Sequence, residues 1–251
     1  MPRRVIAISN CKGGTGKTTT AVNLASALAE QGARVLLIDL DPQGHASIYV
    51  GVRNDGRELF DVFTGRRSLA SAVVRTTFKL DLVPAGMLLA GAEKAVGGEI
   101  GAESIFREHV ATLPDDWDFV IMDCSPSLGL LMISALTAAD EVLIPVIAEA
   151  MPYEGVAQFL QTIQRVQTRL NPALRIMGVL PLKTDATKLS QTIEGALRKN
   201  LGDRVFDTVI RKNVKVGESF SKRMPVSAFA KKCPGTTDYA ALAAEVLGRV
   251  A

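Results

Sequence analysis

Six short, almost uninterrupted apolar runs, separated by longer stretches of helical periodicity, constrain this chain more than any other feature. They are RVIAIS (4–9), RVLLIDL (34–40), DFVIMDC (118–124), EVLIPVI (141–147), LRIMGVLPL (174–182) and DRVFDTVI (203–210). A strand with one wet face alternates apolar and polar residues, whereas a run without alternation is buried on both faces. Strands of that kind need helices above and below them. The pattern therefore predicts an α/β fold, a mostly parallel twisted sheet flanked by helices on both faces, with right-handed crossovers. Helical patterns at 18–32, 127–138, 153–170 and 188–200 supply the cover, and Gly32 closes the first of them. The segment 52–116 is less regular, with short helices, the Gly-rich AVGGEIGAE (95–103) and one expected strand, KLDLVPA (79–85). Without an internal repeat, a long linker or a low-complexity tail, residues 1–251 read as a single domain.

Composition removes several classes of function. The N-terminal MPRRVIAIS has too short an apolar stretch for a signal peptide before glycines intervene. No stretch approaches the roughly 18 apolar residues of a membrane span, so a cytoplasmic location is expected. The three cysteines, Cys11, Cys124 and Cys233, are scattered and form no C-x-x-C pair, which argues against a disulfide framework, a zinc site or a metal-carrying role.

The stretch SNCKGGTGKTTT (9–20) lies between the first strand and the first helix. Glycines there let the backbone curl so that several N–H groups point inward, and the helix adds its positive end, a cradle for phosphate. Gly13, Gly14, Thr15 and Gly16 form the curl. Lys17 at its end can reach the β and γ phosphates of a nucleotide, and the Thr18 hydroxyl, followed by Thr19, is placed for the Mg²⁺ that bridges them. Lys12 has no such duty inside its own loop. A cation at that position adds most where it reaches phosphate charge left open elsewhere, for instance on a facing subunit.

The form K-G-G-x-G-K-[ST]-T, Lys12 to Thr19, resembles the deviant Walker A motif of the ParA/MinD family of P-loop ATPases. LLIDLDPQGHAS (36–47) resembles the family's switch I, DFVIMDCSPSLGLL (118–131) its Walker B and switch II, and TVIRKNVKVGESFSKRMPV (208–226) the base loop and following helix of the ParA/Soj branch. The resemblance runs over nearly the whole chain. It implies ATP and Mg²⁺ as cofactors and a homodimer formed on ATP, with Lys12 reaching across the interface. It implies further that Lys17 and Thr18 hold phosphate and metal, that Asp41 positions the attacking water, and that Asp39 and Asp123 support Mg²⁺. Arg211 and Asn213 fall in the base loop, where RKN stands in place of the family's usual P-R-N. His45 replaces the usual Asn of switch I. At a position that often carries a DNA-contacting arginine this chain has Thr187, with Lys188 beside it.

Charge is divided unevenly. Residues 1–150 carry 13 Lys+Arg against 18 Asp+Glu, whereas residues 151–251 carry 16 against 8. Few aromatics interleave the basic positions, which suits contact with the phosphate backbone of double-stranded DNA irrespective of sequence. With the ParA/Soj resemblance, Lys188, Lys215, Lys222 and Arg223 are the expected DNA contacts, Lys215 first. A nucleoid-associated partition ATPase is implied, together with a ParB-like protein or cargo adaptor that stimulates hydrolysis. Plasmid or chromosome segregation and the positioning of a protein assembly, such as carboxysomes or chemoreceptor clusters, remain open as cargo. A MinD-like membrane role calls for a basic amphipathic C-terminal helix. The chain instead ends DYAALAAEVLGRVA, an Ala-rich pattern suited to packing.

Overall fold

The computed structural model describes residues 2–54, 56–148, 152–185 and 187–249, so the last two residues of the C-terminal pattern lie outside the described part. The strands are β1 (Arg4–Ile8), β2 (Val35–Leu40), β3 (Val74–Arg75), β4 (Asp81–Val83), β5 (Phe119–Cys124), β6 (Glu141–Ile147), β7 (Arg175–Thr184) and β8 (Ile210–Arg211). The helices begin with α1 (Lys17–Glu30), α2 (His45–Tyr49), α3 (Arg57–Phe63), α4 (Ala92–Val96), α5 (Ala102–Ala111) and α6 (Leu130–Ala138). They continue with α7 (Pro152–Arg169), α8 (Lys188–Leu201), α9 (Val214–Ser221), α10 (Val226–Phe229) and α11 (Pro234–Gly248). All eight strands join one sheet in the order β3-β4-β2-β5-β1-β6-β7-β8. Every neighbouring pair is parallel except β3 with β4.

Strand periodicity divides the apolar residues between the two faces. In β1, Val5 and Ala7 enter one core with α3, α5, α6, α7 and α8. Ile6 and Ile8 enter the other, where α1 and α11 pack through residues such as Leu24, Leu28, Leu242 and Val246. Helices thus cover both faces, as the unbroken apolar runs require. The C-terminal α11 is a packing helix: Tyr239, Leu242, Ala243 and Val246 are buried. Among the described residues no helix is long and apolar enough to cross a membrane.

Two expectations need correction. The run 203–210 is not a strand: a 3-10 turn spans Gly202–Arg204, one bridge joins Val205 to Val179, and only Ile210–Arg211 pair with β7. The run is apolar because Phe206 lies over β7 at Gly178, where a Cβ would come within 2.8 Å of the ring. Glu245 of α11 accepts from the amides of Asp207 and Thr208, at 3.0 and 2.8 Å, and so draws that backbone away from the sheet. The expected strand 79–85 shortens to Asp81–Val83. It forms a hairpin with β3, which was not foreseen, closed by Thr76 N–H donating to the Leu80 carbonyl at 3.2 Å.

Candidate nucleotide site

The site lies at the carboxyl ends of β1, β2, β5, β7 and β8, the end of an open parallel sheet where ligands bind. β1 runs into the glycine loop. Gly14 and Gly16 take φ of 72° and 81°, which residues with a Cβ rarely adopt. At Gly16 a Cβ would also stand 2.6 Å from Leu182 Cδ1 of β7. No side chain caps α1, so its first amides face whatever enters the loop.

Lys17, only 6% exposed, donates from Nζ to the Lys12 carbonyl at 3.1 Å. Burial lowers its pKa below the ordinary lysine value, while Asp123 and then Cys124 and Asp41 oppose that shift. The Lys12 carbonyl also accepts from Thr15 Oγ1 at 3.2 Å, and Lys12 N–H is held by Asn10 Oδ1 at 3.1 Å. The Lys12 backbone is therefore part of the cradle, but the residue itself is exposed.

The acids separate in a way their spacing does not reveal. Asp39 and Asp123 stand opposite one another in the β2–β5 register, and both are fully buried. Asp39 is committed within the protein: Oδ2 accepts from Ser47 N and Oγ at 2.8 and 2.7 Å, and Oδ1 from Asp41 N at 3.2 Å. Burial raises its pKa to about 6 against those hydrogen bonds. These bonds make it an anchor of switch I. Asp123 has no hydrogen bond of full geometry on either oxygen. Burial, followed by the neighbouring Asp39 charge, pushes its carboxyl well above the usual range, and the nearby Thr18 hydroxyl works in the other direction. A buried carboxylate without a complete hydrogen bond among the described residues, close to a threonine hydroxyl, fits Mg²⁺ held partly through water. No three His, Cys, Asp or Glu side chains converge into a metal cage among the described residues.

Asp41, 9% exposed, accepts from Gln43 N–H at 3.0 Å through Oδ1. It lines a cleft of about 570 Å³ with Gly14 to Thr19, Gln43, His45, Pro126, Lys183 and Phe220. A second cleft of about 430 Å³ continues over Leu182, Ile210, Val216, Phe220 and Tyr239, with Arg211, Lys212 and Asn213 at its rim. Arg211 is braced rather than free: its guanidinium meets Asp238 of α11 at 2.6 Å, and its N–H meets the same carboxylate at 2.9 Å. Asn213 caps α9 by accepting from Lys215 N–H at 2.8 Å.

Sequence reasoning missed a buried polar network behind these clefts. Tyr49 Oη, at the end of α2, lies 2.7 Å from Ser219 Oγ and 3.2 Å from the Val216 carbonyl, both on α9. Asn23 Nδ2 of α1 donates to it at 3.1 Å and to the Thr19 carbonyl at 2.7 Å. The phosphate helix, switch I and the base-loop helix are thus tied together by residues far apart in the chain, which no local motif announces. Lys183 also lines the site without belonging to a recognisable motif, and Phe220 lines it from within the 208–226 motif. Cys124 sits buried behind switch II, where burial pushes its thiol up to about 12, so it packs rather than reacts.

A family model described as an AAA domain matches residues 3–176. The chromosome partitioning protein ParA of Caulobacter vibrioides is 41% identical over 254 residues, covering 99% of this chain and 95% of that protein. The chromosome-partitioning ATPase Soj of Thermus thermophilus is 42% identical over 248 residues, covering 98% and 96%. The chain belongs to the ParA/Soj family of P-loop ATPases. A crystal structure of cobyrinic acid a,c-diamide synthase from Mycobacterium smegmatis, with bound ADP and magnesium, superposes with a TM-score of 0.86. It is 35% identical and covers 98% of this chain and 94% of that one. The nucleotide of this ParA/Soj ATPase is ATP, taken with Mg²⁺, and the reaction is its hydrolysis to ADP and phosphate.

Lys188, Lys215, Lys222 and Arg223 lie on the two connections that leave the neighbouring strands β7 and β8. Lys188 opens α8 behind a Thr187 cap, with Ser190 N–H donating to Thr187 Oγ1 at 3.3 Å. Lys215 sits on the first turn of α9, paired with Glu218 at 2.8 Å and 5.6 Å above the Phe229 ring. Lys222 and Arg223 follow the end of α9 and are exposed, Arg223 with a φ of 56°.

Proposed function

We propose that residues 1–251 act as a single partition ATPase domain: ATP drives dimerisation, the dimer binds double-stranded DNA without regard to sequence, and hydrolysis releases it. The observation that carries this reading is the double duty of α9. Val216, Gly217 and Phe220 of that helix line the second cleft, while Lys215 stands exposed on it and Lys222 and Arg223 follow its end. A helix that rests on the nucleotide is well placed to report its state to DNA. The exposed Lys215–Glu218 pair is worth little on its own, so Lys215 exchanges its carboxylate for a phosphate at small cost. Dimerisation doubles the phosphate contacts, and affinity rises steeply with their number.

The test is a titration of unrelated duplexes with ATP, ADP or no nucleotide at several salt concentrations. Wild type binds all duplexes alike and only with ATP. Lys215→Ala weakens each of them similarly and shallows the salt slope by about one phosphate contact per protomer. Equal binding with ADP, or strong preference for one duplex, overturns the reading, and capture by anionic lipid vesicles instead of DNA points to a MinD-like role. The cargo is a plasmid or chromosome bound by a ParB-like activator. The same cycle with an adaptor on a protein assembly would be recognised by the identity of the protein that accelerates hydrolysis.

Lys12 acts across the dimer in this scheme. Lys12→Ala is expected to keep ATP affinity within about threefold, because Lys17 and the loop amides remain, and to lose hydrolysis on the order of 10³-fold, as when a charge supplied in trans is removed. Loss of ATP binding as complete as that of a Lys17 variant would place Lys12 in its own site instead.

A further inference from the structure

The two clefts share four residues, Gly16, Thr19, Lys183 and Phe220. A nucleotide with its β and γ phosphates on the glycine loop and its base in the apolar cleft must cross that shared strip. The part that crosses is the α-phosphate and the ribose. Of the four residues, Lys183 alone is charged.

Its position comes from a fault in strand pairing. β7 faces β8 through Leu182↔Ile210 and Thr184↔Arg211, so Lys183 is the extra residue of a bulge. Bulges re-aim side chains and recur beside active sites. The flanking bonds hold this one in place: Ala148 N–H donates to the Leu182 carbonyl and Lys212 N–H to the Thr184 carbonyl, each at 2.9 Å. Lys183 takes a φ of 55° there, a conformation glycine adopts freely and residues with a Cβ avoid. The ammonium makes no ion pair or hydrogen bond among the described residues, and the side chain is exposed. A strained backbone therefore presents an unpartnered cation to the strip that a nucleotide must cross.

We propose that Lys183 is a further nucleotide-binding residue, contacting the phosphate nearest the ribose. It rests on the ATP site and not on the DNA reading. Lys17 acts at the β and γ phosphates, so the two lysines carry different signatures. A contact to the α-phosphate is made equally to ATP, ADP and AMP and is unchanged as the γ-phosphate leaves. It lowers KM without raising kcat.

The experiment compares Lys183→Gly, Lys183→Met and Lys183→Arg with wild type. Lys183→Gly relieves the backbone and removes the charge, and Lys183→Met keeps the length alone. Dissociation constants are measured for ATP, ADP, AMP and adenosine, together with kcat, KM and thermal stability. Lys183→Gly and Lys183→Met are expected to weaken ATP, ADP and AMP by about tenfold each, the scale of a charge-assisted hydrogen bond. Adenosine affinity and kcat stay at wild-type values, Lys183→Arg binds like wild type, and Lys183→Gly melts no lower. Wild-type affinity for ADP in both neutral variants overturns the proposal. So does a loss confined to ATP, which would place the amine at the γ-phosphate, or an equal loss for adenosine, which would mean the variant had deformed the base cleft. If wild type itself failed to bind any nucleotide, the site would fall and not this assignment alone.

Discussion

Lys17→Ala abolishes nucleotide binding: ATP and ADP are expected to lose at least about 100-fold in affinity, roughly 3 kcal/mol. The expectation exceeds one lost hydrogen bond because of what surrounds the amine. Lys17 is buried at the start of α1, with Asp123 and Asp41 close enough for their charges to act on it. Without the ammonium, a triphosphate entering the loop meets carboxylates with no cation between them, and repulsion adds to the missing contact. Lys17→Met, which keeps the aliphatic stem, is expected to behave the same way, separating charge from packing. Calorimetric titration with ADP is the direct check, since ADP binding needs no hydrolysis. Affinity within tenfold of wild type in both variants would remove Lys17 from the phosphate contacts.

Asp41→Ala has its largest effect on the chemical step. The variant is expected to bind ATP within a few-fold of wild type while kcat falls on the order of 10³-fold, the scale of a lost group that orients and polarises the attacking water. The geometry also offers a bland role, because Oδ1 closes a turn by accepting from Gln43 N–H. Asp41→Asn separates the two. Its side-chain carbonyl keeps the turn and lacks the carboxylate charge, so it should be as inactive as Asp41→Ala. Restored turnover in Asp41→Asn would make the residue a cap and leave the water to another group. Under the partition scheme both inactive variants accumulate as ATP-bound dimers on DNA, which is read by DNA retention after free ATP is removed.

Much of this architecture was legible in the chain. The runs at 4–9, 34–40, 118–124 and 141–147 became central strands β1, β2, β5 and β6, because an unbroken apolar run can be satisfied only where both faces are covered. The glycine loop was legible for a similar reason. Its function depends on backbone curvature and on residues within one short stretch, and both are written locally. Local patterns also placed the C-terminal helix, which packs through Tyr239, Leu242, Ala243 and Val246 while Ala240, Ala241 and Ala244 stay exposed.

What stayed hidden depends on which distant group claims a side chain. Asp39 and Asp123 end similar strands in matching register, yet Ser47 folds back onto Asp39, while Asp123 stands near the Thr18 hydroxyl with neither oxygen in a complete hydrogen bond among the described residues. Arg211 falls in the base loop by motif, but Asp238 of α11 takes its guanidinium. The run 203–210 has a strand's composition and is not one, since Glu245 captures its amides and Gly178 makes room for Phe206. Lys183 looks like any surface lysine until the β7–β8 pairing slips by one residue and turns it toward the nucleotide clefts. Periodicity and glycine spacing encode burial and backbone curvature, because these depend on neighbours along the chain. Hydrogen-bond ownership and strand register depend on groups brought together only when the sheet and its helices close.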